Sequence, residues 1–367
     1  MRDERYRKLA QNLINYSIDL QPGEKVLISV SDGEIAMGRE LIRAANEAGG
    51  LPFLKLKHSK LNRELLKGAT KEQLELQAKL DRAEIEEMDA TISIVRMDNV
   101  HEMAGIPAEQ LRLWSKHYGR HVTTTHKKWC ALRFPNDSMA QLAKMSTEDF
   151  EDFYFQVCTL DYAKMSAALK PLAELMRRTN RVRITGPCTE LTFSIKDIPV
   201  IESDGRHNVP DGEIFTAPVR DSVNGTIQYN APSHYQGFLY ENVSLTFRDG
   251  RIVEASANNN ERLERLLDTD EGSRYIGEFA LGFNPYILQP MADALFDEKI
   301  AGSFHLTPGN AYEVASNGNR SSIHWDLVCI QRPEYGGGEI WFDDVLIRKD
   351  GLFVLPELEG LNPENLR

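Results

Sequence analysis

The segment His324-Trp325-Asp326 is the strongest local pattern of chemically reactive side chains in the sequence. It lies within residues 323–330, a run that predicts a β-strand. Side chains two residues apart on a strand share a face, so His324 and Asp326 project together while Trp325 points the other way. An imidazole beside a carboxylate can chelate a divalent metal ion, and a structural hydrogen-bonded pair is the alternative.

Three more residues on strands of the same half of the chain can join that pair. His305 lies in a predicted strand whose bulky neighbours take the opposite face. Glu278 opens another predicted strand, and its own face carries only Ala280 and Gly282, which leaves room for an ion. Glu213 follows a Pro-Asp-Gly turn, where a charged residue is usually solvated. A structural histidine and exposed glutamates are the alternatives.

Glu298 and Tyr312 are weaker candidates, one in a short charged run and one in a loop that follows Gly309-Asn310. Together the candidates supply two histidines, several carboxylates and no cysteine, a mixture that suits Zn, Co or Mn. The carboxylates exceed what one zinc ion needs. They could hold two metal ions roughly 3.5–4 Å apart, bridged by a carboxylate and a water molecule.

The elements that must position these residues differ between the two halves of the chain. In the first third, strands predicted at 26–30, 51–57 and 91–97 alternate with helices, which indicates an α/β fold with parallel strands. The second half has many short strand-like runs separated by Asp-Gly and Asn-Gly turns, which favours a β-rich, mostly antiparallel domain. We expect an N-terminal α/β domain with a helical segment at 1–180 and a C-terminal metal-binding catalytic domain at 181–367.

Composition and motifs exclude several classes of function. The 43 Lys and Arg residues against 55 Asp and Glu residues give a net charge of −12, so nucleic acid is not expected as a partner. No apolar run approaches the roughly 18 residues of a membrane span. The charged N-terminus lacks the apolar segment of a secretory signal, and we expect a cytoplasmic protein. Neither GxGxxG after the first strand nor GxxxxGK[ST] occurs, so nucleotide binding has no support.

The sequence resembles the aminopeptidase T / aminopeptidase S family of thermophilic-type metalloaminopeptidases over essentially its whole length. The PDGEIFTAP run and the His-x-Asp segment are the most specific parts of this resemblance. The matching segments are 21–26 (QPGEKV), 129–145, 208–218 (NVPDGEIFTAP), 221–225 (DSVNG), 276–280 (IGEFA), 295–298 (LFDE), 305–306 (HL), 311–312 (AY) and 322–327 (SIHWDL).

The resemblance implies an enzyme that removes N-terminal residues from peptides with a free N-terminus, works as a homodimer and uses two divalent ions (Zn, Co, Mn or Mg). The family's metal ligands fall on Glu213, Glu278, His305, His324 and Asp326. The family tyrosine falls on Tyr312, and the family glutamate that precedes the first histidine falls on Glu298. The gap from Glu298 to His305 is longer here than in the best-known members.

These assignments suggest a mechanism in which a water molecule bridging two metal ions attacks the scissile carbonyl. Tyr312 is the candidate donor to the oxyanion. Glu213, Glu298 and Asp221 are candidates for proton transfer to the leaving amine.

Two other functions remain open at this stage. His305, His324 and Asp326 alone form the ligand set of a mononuclear non-haem Fe(II) enzyme, such as a ring-cleaving 2,5-dihydroxypyridine dioxygenase. Glu213 and Glu278 favour the peptidase, because a second ion needs them and a single iron does not. The other alternative is a non-catalytic protein that a metal ion stabilises or that binds peptides. Removal of a structural metal ion would unfold the protein, whereas removal of a catalytic one would mainly abolish turnover.

Overall fold

The alternating helices and strands of the first third of the chain form one parallel sheet, and the later strands form antiparallel sheets. The computed structural model describes residues 3–96, 98–99, 101–122 and 128–367, apart from the side chain of Arg120. The α-helices, in chain order, are α1 (Glu4–Asn12), α2 (Ile35–Glu47), α3 (Ser59–Lys67), α4 (Lys71–Glu86), α5 (Ala108–His117), α6 (Asp137–Leu142), α7 (Thr147–Cys158), α8 (Tyr162–Arg178), α9 (Asn260–Leu267), α10 (Ala294–Asp297) and α11 (Pro363–Leu366).

The strands are short and most of them lie in the second half of the chain. In chain order they are β1 (Lys25–Ser31), β2 (Leu51–Lys57), β3 (Ala90–Val95), β4 (Lys128–Arg133), β5 (Arg181–Gly186), β6 (Thr189–Ser194), β7 (Ile201–Ser203), β8 (Asn208–Val209), β9 (Glu213–Thr216), β10 (Asn224–Gln228), β11 (Ser233–Tyr235), β12 (Phe238–Tyr240), β13 (Ser244–Arg248), β14 (Arg251–Ser256), β15 (Ile276–Gly282), β16 (Ser303–Pro308), β17 (Leu327–Ile330), β18 (Glu339–Phe342), β19 (Val345–Lys349) and β20 (Leu352–Phe353).

Contacts divide the chain into two compact units, Met1–Thr159 with Gly205–Val209 and Leu160–Asp204 with Pro210–Arg367. In this division α8 belongs to the second unit. The sequence-based boundary at residue 180 stays a prediction about the chain's domains.

The first unit contains a five-stranded sheet in the order β2-β1-β3-β4-β8, and every pairing in it is parallel. Most residues of β1 are buried, because this strand has a neighbouring strand on each side in the sheet. The expected strand at 91–97 is found as β3, with Met97 outside the described residues. The α/β prediction for this part of the chain is confirmed.

The second unit contains an antiparallel eight-stranded sheet in the order β14-β13-β10-β6-β5-β18-β19-β20. A five-stranded antiparallel sheet has the order β17-β16-β15-β9-β7. Phe193 on β6 of the eight-stranded sheet packs edge-on against Phe279 on β15 of the five-stranded antiparallel sheet, with ring centroids 5.0 Å apart. The bulky face of β15 is therefore used in the core, as its alternating pattern predicts.

No helix among the described residues has the length and apolar character needed to cross a membrane.

Candidate metal centre

The five-stranded antiparallel sheet brings three of the predicted ligands side by side. Strand β9 begins at Glu213, β15 carries Glu278 and β16 carries His305, and these strands are neighbours in the order β9-β15-β16. In the register between β15 and β16, His305 lies opposite Ala280 and Glu278 lies opposite Thr307. All three ligand candidates are buried, so Glu213 is not the solvated residue that its place after a turn suggests.

The carboxylate of Glu278 lies between two imidazole rings. Its Oε1 is 3.4 Å from His305 Nε2, and its Oε2 is 3.4 Å from His324 Nε2. Glu213 Oε2 lies 3.9 Å from His305 Nε2, and Asp326 Oδ1 lies 3.3 Å from His324 Nε2. The structure therefore gathers all five sequence-predicted ligands into one cluster.

The expectation that residues 323–330 form one continuous strand is wrong in its first half. Strand β17 begins only at Leu327, and His324 makes an isolated bridge with Gly309. The pairing keeps the register of β16 and β17 here, and Trp325 N donates to Pro308 O at 3.2 Å, but Pro308 has no N–H to return the second hydrogen bond of a regular pair.

The side-chain directions expected for this segment nevertheless hold. Trp325 is buried away from the cluster, between Tyr235 at 5.5 Å and Tyr240 at 4.7 Å measured between ring centroids. His324 and Asp326 face each other on the opposite side. Side chains keep alternating because the register of β16 and β17 continues to the bridge between Gly309 and His324, although one ladder hydrogen bond is missing.

Neighbouring groups fix the orientation of both residues. His324 Nδ1 is 2.9 Å from the carbonyl oxygen of Asn310, so a proton on Nδ1 is donated there and Nε2 is left to face the carboxylates. Thr307 Oγ1 donates to Asp326 Oδ1 at 2.6 Å. Such outer contacts orient metal ligands in many proteins.

Asp270 anchors the segment that leads into His324. Its carboxylate accepts hydrogen bonds from Ser321 Oγ, from Ser322 Oγ and from Ser322 N, each at 2.7 Å. Burial alone would raise the pKa of Asp270, but these hydrogen bonds outweigh it and hold the pKa well below its usual value. The loop therefore has a fixed point just before the cluster.

The cluster's own charges control its protonation. Burial lowers the pKa of His305, but the contact with Glu278 and the charge of Glu213 raise it to about 9 overall. Burial also lowers the pKa of His324, while the charge of Asp326 raises it to about 10 overall. Without a metal ion both rings are therefore positively charged imidazolium groups at neutral pH. Binding of a metal ion would release one proton from each ring that becomes a ligand.

The donor set fits a divalent metal ion. Glu213 Oε2 and His324 Nε2 are buried and have no hydrogen-bond partner among the described residues. Such orphaned polar atoms cost about 1–3 kcal/mol each, a cost that a bound cation removes. One ligand atom from each of Glu278, His324 and Asp326 lies within 4.8 Å of the other two. Nitrogen and carboxylate oxygen donors of this kind suit Zn, Co or Mn.

A buried lysine adjoins the cluster, and sequence analysis missed it. Lys299 Nζ lies 3.1 Å from Glu213 Oε1 and also pairs with Glu298 Oε2. Burial lowers the pKa of Lys299, but the charges of Glu213, Glu298 and Asp211 raise it well above its usual value overall. The only signal in the sequence was a second charge directly after Glu298.

The remaining candidates differ in their distance from the cluster. Glu298 reaches it through Lys299, and burial raises the pKa of Glu298 well above its usual value. Asp221 is exposed in the turn before β10, and in the described part of the chain no hydrogen bond or ion pair joins it to the cluster. Thr307 was also missed, although its position two residues after His305 on one strand face could have revealed it.

Tyr312 stands at the edge of the cluster. Its ring centroid is 4.6 Å from that of His324 and 5.6 Å from that of Phe215. The residue is 47% exposed, so its ring contacts the cluster on one side and solvent on the other. Partial burial and the nearby carboxylates, Glu278 first among them, raise the pKa of its phenol, which stays protonated.

Comparison with known proteins identifies relatives along most of the chain. A family model described as thermophilic metalloprotease (M29) matches residues 2–346. Aminopeptidase PepS of Streptococcus thermophilus is 26% identical in an alignment 387 positions long, which covers 89% of this chain and 92% of that protein. Aminopeptidase 2 of Geobacillus stearothermophilus is 24% identical over 352 residues, 83% of each chain. Aminopeptidase T of Thermus thermophilus is 33% identical over 178 residues, 41% of this chain and 43% of that protein.

A solved structure supports the fold independently. Wild-type AmpT from Thermus thermophilus superimposes with a TM-score of 0.79 at 24% sequence identity. The match covers 96% of this chain and 99% of that chain. At this level of identity the similarity establishes the fold, which agrees with the α/β and antiparallel β-rich parts described above.

Proposed function

The chain belongs to the M29 family of thermophilic metalloproteases, and on this premise we propose that it is a divalent-metal-dependent aminopeptidase. The observation that carries the proposal is that one ligand atom from each of Glu278, His324 and Asp326 lies within 4.8 Å of the other two, and that the buried His324 Nε2 has no hydrogen-bond partner among the described residues. The relatives named aminopeptidases support the choice of peptides with a free N-terminus as substrates.

We assign the ligands of two divalent ions within this cluster. Glu278, His324 and Asp326 would hold one ion, and Glu213 and His305 would hold the other. The 3.4 Å distances from Glu278 to both histidines support its place between the two positions. Ions in such a site supply Lewis acidity and make a water molecule nucleophilic near neutral pH.

The chain's own residues would carry out the remaining steps. The carboxylates of the cluster attract the substrate's α-ammonium group, which favours cleavage at the N-terminus. Tyr312, protonated and at the open edge of the cluster, donates a hydrogen bond to the oxyanion of the scissile carbonyl. Glu298, close to the cluster but outside its ligand set, transfers a proton to the leaving amine.

The test of the proposed function is hydrolysis of a panel of aminoacyl-p-nitroanilides and dipeptides. Protein stripped with chelator would receive Zn, Co, Mn, Mg or Fe(II) in turn, and N-acetylated substrates would serve as controls. We expect metal-restored release of the N-terminal residue and no cleavage of the acetylated substrates. Failure of every metal to restore hydrolysis would overturn the proposal.

The ring-cleaving dioxygenase gains no support from the comparisons, which point to a metalloprotease family. Oxygen uptake with dihydroxypyridines in the Fe(II) sample measures that activity directly, and we expect none.

Tyr312→Phe is expected to lower kcat by about 100-fold, the usual cost of removing one oxyanion donor. The ring contact with His324 remains in this variant, so metal content should not change. Steady-state kinetics and metal analysis test both points. Tyr335→Phe is the matched control, because it removes a hydroxyl and keeps a ring that packs on Arg332. An unchanged kcat in Tyr312→Phe would exclude the hydroxyl from the reaction.

Two further parts of the proposal concern the protein as a whole. A homodimer is carried forward from the sequence resemblance, and a cytoplasmic location stays a prediction. Sedimentation velocity should give a species of twice the chain mass, and a monomer at all concentrations would contradict the homodimer.

A further inference from the structure

Lys299 places a fixed positive charge inside the carboxylate cluster. The residue is 1% exposed, and its Nζ lies 3.1 Å from Glu213 Oε1 while it also contacts Glu298 Oε2. These two carboxylates are on the Glu213 side of the cluster. On the other side, Glu278 and Asp326 have only histidine rings as cationic partners in the described part of the chain.

The backbone around Lys299 holds this charge in place. Lys299 N donates to Phe296 O at 3.0 Å, and its carbonyl oxygen accepts from Asn284 N at 2.9 Å. The segment also packs closely on the end of β15, because a Cβ at Gly282 would lie 2.6 Å from Glu298 O and 2.7 Å from Ile300 O. The lysine is therefore held by the fold on both sides, and its side chain extends towards Glu213.

We propose that the Lys299 ammonium group is a built-in counterion for the Glu213 side of the site, which makes the two metal positions unequal in affinity. The first ion binds at Glu278, His324 and Asp326. The second ion binds beside Glu213 only by weakening the ion pair with Lys299. This inference rests on the proposed function in one respect, namely that the cluster binds divalent ions.

Elementary electrostatics sets the direction of the effect. A divalent ion at Glu213 would lie near a buried ammonium group, where like charges repel strongly because little water screens them. If Glu213 instead turns to the ion, a buried cation loses a partner, which is also costly. The position formed by Glu278, His324 and Asp326 meets neither cost, because its cationic partners are histidine rings, and a ring that releases its proton becomes a neutral ligand.

Metal titration of the wild-type protein tests the inequality. Chelator-stripped protein would be titrated with Co²⁺, with isothermal calorimetry and the visible absorption of bound Co²⁺ as readouts. We expect one tightly bound ion per chain and a second that binds at least about tenfold more weakly. Two ions of equal affinity would overturn the inference.

Lys299→Met removes the charge and keeps the length of the side chain. The second ion should bind at least about tenfold more tightly than in the wild type, and the first should change little. Lys299→Arg keeps the charge and should retain the unequal affinities. Lys349→Met is the matched control, since it removes an exposed lysine that pairs with Glu339, and it should leave both affinities unchanged.

A thermal unfolding scan establishes that the Met variant is folded. If it does not fold, Lys299→Gln provides the same comparison, because glutamine is neutral and can still donate a hydrogen bond to Glu213. A folded neutral variant with an unchanged second affinity would overturn the inference.

The two proposals can fail separately. Unequal binding without peptide hydrolysis would refute the aminopeptidase function and support the role of Lys299. Hydrolysis together with two ions of equal affinity would support the aminopeptidase function and refute the role of Lys299.

Discussion

Glu278→Gln is expected to remove bound divalent metal and to lower kcat/KM for peptide hydrolysis by more than about 100-fold. Loss of a residue that only orients a ligand already costs 10–100-fold in metal affinity or activity, and a direct ligand should cost more. Glu278 is the residue whose carboxylate contacts both His305 and His324, at 3.4 Å each. Its loss should therefore weaken both proposed metal positions at once.

Glutamine has nearly the shape of glutamate, so the fold should persist in this variant. His305 and His324 lose an anionic partner in this variant, but each ring can release a proton and become neutral, so the protein is expected to stay folded. Metal analysis, kinetics and a thermal unfolding scan give the three readouts. Glu254→Gln, at an exposed position on β14, is the matched control and should behave as the wild type. Full metal content in Glu278→Gln would remove this residue from the ligand set.

Gly309→Ala is expected to lower the free energy of unfolding by about 2–4 kcal/mol. Gly309 has φ of +112°, a conformation that side chains disfavour. A Cβ there would lie 2.2 Å from the carbonyl oxygen of Ile323, a contact that requires the backbone to move. Because Gly309 bridges to His324, the same movement should displace a proposed ligand and weaken metal binding.

Gly318→Ala separates the cost of a positive φ from the cost of the steric contact. Gly318 has φ of +84°, but no described atom lies within 4 Å of a Cβ built there. It should therefore show only the conformational cost, about 1–2 kcal/mol, with metal affinity unchanged. Urea unfolding gives the free energies and a Co²⁺ titration gives the affinities. Equal effects of the two substitutions would show that the close approach of Gly309 to Ile323 does not hold His324.

Local patterns predicted much of the fold and of the candidate site. Strands β9, β15 and β16 occur where alternation indicated, and the common face of His324 and Asp326 was predicted from their spacing of two. The change from parallel to antiparallel pairing followed from connection length, because helices separate the early strands and tight turns separate the later ones. The assignment of the five residues as metal ligands stays a prediction for the experiments above.

Short-range patterns failed where long-range contacts override them. Residues 323–326 continue the register of β17 against β16 but are not regular strand, because Pro308, which lies opposite Trp325, has no N–H to complete the pair. The turn before Glu213 by itself favours a solvated carboxylate, whereas the resemblance made Glu213 a metal ligand; in the structure Glu213 is buried and pairs with Lys299, which is remote in sequence.

By itself, the sequence determined which side chains are available and which face of its strand each one takes, since the side-chain period of two is a local property. Only the tertiary structure decided the register, which places Ala280 opposite His305 and the carboxylate of Glu278 between two imidazoles. Alternation cannot distinguish registers that differ by two residues, because both keep the same faces buried. The burial of Lys299 beside Glu213 was decided in the same way, by packing between segments far apart in the chain.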